Sequence, residues 1–183
     1  MSGQRLALRE LTSIAICAAV ISVCAWITVP ATVPFTLQLL GVFLSVRLLG
    51  GRNGTIAVAV YILLGSVGAP VFSGFGAGAG VLIGPTGGYI VGFLFIGLIY
   101  WLGEKACTGR IAACGLMLAG LIVCYAFGTA WFIYVNAARG KALTVLTSLG
   151  ICVFPYVIPD LLKLAASEMI AWKVVKLLDR KRV

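Results

Sequence analysis

The chain reads as long apolar runs cut by glycine, proline and basic residues, and six of these runs predict membrane-crossing helices. The first extends from about Thr12 to Val29 and ends at "VPATVPF". The second, about Thr36 to Leu49, stops at "GGRNG", and the third covers about Thr55 to Ala69. The fourth spans about Tyr89 to Leu102, before "GEKACTGR". The fifth runs from about Ile111 to Val135, before "NAARGK", and the sixth lies within Leu143 to Leu178. Roughly twenty residues cross a bilayer, so the second, third and fourth are short. Either they extend into their flanking loops or they thin the membrane locally; in transporters, short or Gly/Pro-interrupted spans point toward a binding site. The expected architecture is all-α, a polytopic six-transmembrane-helix bundle forming a single membrane domain over residues 1–183.

Composition supports the membrane reading. Hydrophobic residues make up 62% of the 183 and charged ones 10%, against about 45–50% and about 25% in a soluble domain. So few charges cannot cover a water-facing surface. The first run follows Arg5, Arg9 and Glu10 in the manner of a signal peptide, but its near-spanning length and the runs that follow predict an uncleaved first helix.

The net charge of +9 is a matter of topology rather than a nucleic-acid footprint, because the basic residues sit between the apolar runs. With the amino terminus inside, the inner segments carry Arg5, Arg9, Arg52, Lys105, Arg110, Lys176, Arg180, Lys181 and Arg182. The outer segments carry only Arg139 and Lys141. That bias predicts both termini in the cytoplasm, and it places "VPATVPF", "NAARGK" and the connection between helices 3 and 4 outside.

That connection, "FSGFGAGAGVLIGPTGGY" (Phe72 to Tyr89), has seven glycines in eighteen residues and no charge. It is too glycine-rich for a stable helix. Irregular backbone at membrane depth must be satisfied by protein or by a water-lined cavity. The expectation is a partly re-entrant external lid, whose glycines let backbone N–H groups approach a ligand closely. The alternative is a plain flexible loop, against which its apolar "VLIGP" content weighs. A dinucleotide fingerprint has no strand–helix context here.

Candidate chemistry is sparse. There is no histidine, and Cys17, Cys24, Cys107, Cys114, Cys124 and Cys152 form no Cys-x-x-Cys; they are expected to pack as small hydrophobes, without disulfides or zinc. No P-loop motif is present and no carboxylate cluster supports catalysis, so energy for transport must come from a partner or a gradient. Of the acids, Glu10, Glu104 and Asp179 fall at inner span ends, where solvation is expected, and Glu168 is expected to bond to a neighbouring helix. Arg47 is expected to snorkel to the inner interface.

"PYVIPDLLKLAASE" is the informative stretch. Asp160 and Lys163 stand three apart and share a helix face. Either charge alone within the membrane costs about 2.5–3.5 kcal/mol. Pro159–Asp160 fits a helix start with a capping acid. The competing reading is a polar grip on a ligand in the outer third of a helix that begins near Pro155. An acceptor beside a donor matches a solute offering both N–H and C=O, and Phe35, Phe72, Phe75, Tyr89 and Trp131 suit a ring or short aliphatic part.

Four stretches, "VPFTLQ" (Val33–Gln38), "GPTGGYIVGF" (Gly84–Phe93), "GTAWF" (Gly128–Phe132) and "FPYVIPDLLK" (Phe154–Lys163), together resemble the BioY family, the biotin-specific S components of energy-coupling-factor (ECF) transporters. The likeness spans the chain. It implies high-affinity biotin capture at a bacterial cytoplasmic membrane, with no cofactor, and docking onto a transmembrane coupling subunit driven by two cytosolic ATPases. Asp160 and Lys163 match the family's Asp-x-x-Lys and would grip one end of biotin, the ureido ring. The valerate carboxylate would fall to Ser73, Thr86, Lys163 or N–H groups around Gly74, Gly76, Gly84 and Gly87, with Phe35, Tyr89 and Trp131 around the rest. Some relatives carry a basic residue after "GGY"; this chain has Ile90, so no arginine is assigned to the carboxylate. The family's Ala-x-x-x-Ala docking patch falls on Ala15 and Ala19, where small residues permit close helix approach. The alternatives are a stand-alone secondary transporter or facilitator, a small membrane enzyme, for which the polar groups are too few, and a structural subunit that binds no ligand.

Overall fold

The computed structural model describes residues 2–30, 33–106 and 109–180; Ala31, Thr32, Cys107, Lys181 and Arg182 lie outside them. Helix α1 covers Ser2–Trp26, and the strands β1 (Thr28–Val29) and β2 (Phe35–Thr36) pair antiparallel behind it. Helix α2 covers Gln38–Ser66, followed by a 3-10 turn at Ser73–Phe75 and the short α3 at Ala79–Ile83. Then come α4 (Gly87–Gly103), α5 (Arg110–Ala138), α6 (Val145–Cys152) and α7 (Phe154–Arg180).

Helix α2 is two passes rather than one. Gly50 leaves helical geometry at φ 77, ψ 169, a left-handed backbone suited to glycine. The arms 38–49 and 51–66 then fold back on each other, so that the Gln38 side chain donates to the Tyr61 hydroxyl at 2.7 Å. On a straight helix that separation of 23 residues would be about 35 Å. The expected second and third spans are therefore a tight helical hairpin. At its turn the Glu104 carboxylate accepts from the Gly51 N–H at 2.8 Å, so this acid is tied to the backbone rather than simply solvated.

With the hairpin counted as two, the passes are α1, the two arms of α2, α4, α5 and the α6–α7 pair, which bends by 43° at its break. The chain is a multi-pass membrane protein. Its main core joins α1, α2, α4 and α5 around Ile21, Phe43, Tyr61, Ile96 and Met117, all fully buried. The α4–α5 interface is close because a Cβ on Gly120 would lie 2.6 Å from the Ile96 Cα. Cys17, Cys124 and Cys152 are buried among apolar neighbours, as small hydrophobes would be.

Two local expectations are corrected. The glycine segment is not free of helix, since it holds the 3-10 turn and α3. It is pinned rather than loose: the fully buried Phe72 ring packs edge-on against Tyr61 at 5.5 Å, and the Gly78 N–H donates to the Gly65 carbonyl at 2.7 Å. Pro159 lies inside α7 rather than at its start. Asp160 is thus the seventh residue of that helix, and the capping reading fails.

Candidate functional site

At the bundle end opposite Gly50 and Arg110, a cavity of about 90 Å³ opens between α2, α4, α5, α7 and the connections that carry Val33–Thr36 and Ser73–Thr86. That is room for several water molecules. Asp160 and Lys163 form one wall from α7, Tyr125 and Cys124 another from α5. Tyr89 comes from the start of α4, and Ser73 and Thr86 from the glycine segment. Gln38, Cys152 and Tyr156 complete the polar and soft surface.

The centre of this site is an ion pair. Lys163 Nζ lies 2.7 Å from Asp160 Oδ1, with only 8% of either side chain exposed. Burying two charges is costly, and the pair holds only where the remaining valences are met. The Tyr125 hydroxyl meets one by donating to Asp160 Oδ2 from α5. Lys163 gains a second contact from the Phe35 ring, 4.3 Å from Nζ to the centroid. Phe35 in turn stacks with Tyr156, whose hydroxyl donates to the Val33 carbonyl. Two ammonium hydrogens and several carboxylate lone pairs remain for a solute. One apolar-backed site thus offers a donor and an acceptor a few ångströms apart.

Of the residues expected at a site, Asp160, Lys163, Ser73, Thr86 and Tyr89 line the cavity. Phe35 stands behind Lys163. Gly74, Gly76, Gly84, Gly87 and Trp131 lie outside the wall. Gly74 is exposed at φ +62, whereas Gly84 and Gly87 are buried. Trp131 donates from Nε1 to the Gly84 carbonyl at 3.0 Å, a brace for the segment's second half. Phe72 anchors the loop, and Phe75 stacks on Trp26 at 5.1 Å, outside the cavity.

Tyr125, Gln38, Cys124 and Tyr156 were not singled out from the sequence. Gln38 and Tyr156 lie within "VPFTLQ" and "FPYVIPDLLK", which offered a signal; Tyr125 sits in an apolar run that offered none. Toward the Gly50 end of the bundle, the Arg47 side chain is part-exposed and paired. Its Nε meets Glu168 Oε1 at 2.8 Å, which gives Glu168 the inter-helix partner expected for it.

Comparison with known proteins bears on this geometry. A family model described as the BioY family matches residues 1–180. The chain belongs to the BioY family. Within it, the biotin transporter BioY of Thermotoga maritima is 43% identical over 176 residues, covering 93% of this chain and 98% of that one. The probable biotin transporter BioY of Pyrococcus horikoshii is 36% identical over 164 residues, covering 89% and 94%. A crystal structure of the S-component for biotin from an ECF-type ABC transporter is similar at a TM-score of 0.81 and 27% identity, covering 96% of this chain and 94% of that one. BioY proteins are transporters, and the chain is no enzyme.

Proposed function

We propose that the chain captures biotin and serves as the substrate-binding subunit of an ECF-type transporter. The observation that carries this is the Asp160–Lys163 pair, buried yet facing a cavity, with Tyr125 completing the carboxylate. Biotin's ureido ring carries two N–H donors and one carbonyl acceptor, the complement of this pair. Ile90, Phe93 and Leu121 supply apolar wall for the rest of the molecule, and Ser73 and Thr86 stand across the cavity for the carboxylate.

The charge bias between loops supports cytoplasmic termini, so the cavity opens outward in a bacterial cytoplasmic membrane. Partners follow from the same reading: a transmembrane coupling subunit and two cytosolic ATPases. Ala15 and Ala19 lie on the exposed face of α1, available for such docking. Calorimetric titration of the purified protein with biotin tests the capture step. Tight, near-stoichiometric binding is expected; flat heats at micromolar protein reject it.

A further inference from the structure

Helices α5 and α7 are joined by Tyr125 and Asp160 but approach each other little elsewhere. Toward the Arg110 end they bound a crevice walled by Met169 and Trp172, with Arg110 and Lys173 at its rim. Glu168 also borders it, but its charge is matched by Arg47 at 2.8 Å. Arg110 and Lys173 have no carboxylate partner among the described residues. The Trp172 ring, 47% exposed, has the Arg110 guanidinium 4.9 Å and the Lys176 ammonium 5.1 Å from its centroid. A half-exposed tryptophan among cations marks the headgroup level of a membrane.

We propose that this crevice binds an anionic phospholipid. Arg110 and Lys173 hold the phosphate, and an acyl chain lies along Met169 between α5 and α7. The rim has an excess of positive charge, while the wall behind it, Met169 and Trp172, is apolar. An amphiphile with an anionic head satisfies both, whereas a soluble anion leaves the apolar wall unused. Basic pockets between helices at the inner leaflet take such headgroups. The site is separate from the cavity at Asp160 and does not depend on what that cavity binds.

The test is native mass spectrometry of the full chain in neutral detergent, titrated with phosphatidylglycerol and with phosphatidylcholine of the same acyl chains. Two cations near the surface predict a preference of roughly thirtyfold for phosphatidylglycerol. R110Q/K173Q should lose it, R110K/K173R should keep it, and K141Q should leave it unchanged. Equal binding of the two lipids by the unmodified chain overturns the proposal and needs no variant. Undiminished preference in R110Q/K173Q also overturns it. So does displacement of the lipid by inorganic phosphate at constant ionic strength, which would assign the crevice to a soluble anion.

Discussion

Tyr125 and Asp160 join two helices that otherwise touch little: the tyrosine hydroxyl on α5 donates to the carboxylate on α7, while Lys163 holds the other carboxylate oxygen. The carboxylate is thereby fixed in orientation before any ligand arrives. Hydrogen bonds to charged groups contribute about 1.5–3 kcal/mol. Tyr125→Phe keeps the ring and removes the bond, so biotin affinity should fall by about tenfold to a hundredfold. Calorimetry reads this directly, and an unchanged Kd would show that Tyr125 does no positioning.

The ion pair makes separate demands on stability and on binding. Asp160→Ala strands the Lys163 ammonium, and Lys163→Ala strands the carboxylate, each at a cost of about 3–5 kcal/mol. Removing both strands neither. The double variant should therefore recover much of the melting temperature lost by either single variant, while biotin binding stays absent in all three. Recovery of binding along with stability would show that the pair is only a structural element.

Gly65 and Phe72 set the anchorage of the glycine segment. A Cβ at Gly65 would fall 2.1 Å from the Phe72 ring, which cannot yield without leaving its buried position. Gly65→Ala should cost about 1–3 kcal/mol as overpacking and should speed amide exchange across residues 72–86. Exchange unchanged there, with α2 intact, would mean that the anchor lies elsewhere.

The exposed face of α1 predicts a separation of capture from uptake. Ala15→Trp or Ala19→Trp places a large ring where only a small side chain permits close approach. Biotin binding by the isolated subunit should persist, and uptake in vesicles containing the coupling subunit and ATPases should be lost. Loss of binding in the isolated subunit would contradict a docking role.

Much of this arrangement was legible because a membrane chain marks its exceptions. Asp160 and Lys163 stand out in an apolar run, and their spacing alone puts them on one face. The glycines around Gly50 announced a reversal. Tyr125 was hidden because a tyrosine in an apolar helix is as consistent with packing as with a ligand site, and only its distance to Asp160 decides. The partner of Arg47 was hidden because it lies 121 residues away, beyond any local pattern. Pro159 misled for a different reason. A proline early in a helix gives up one backbone bond without ending the helix when the other turns hold, and the boundary falls at Phe154 instead.

The Asp160–Lys163 pair also has an electrical consequence. A membrane potential does about 2.3 kcal/mol of work per elementary charge per 100 mV, but a cation and an anion that travel together carry no net charge for it to act on. If α7 slides along the membrane normal with both side chains in place, the field does no net work on this pair. The pair can therefore sit on a spanning helix without making that part of α7 a voltage sensor.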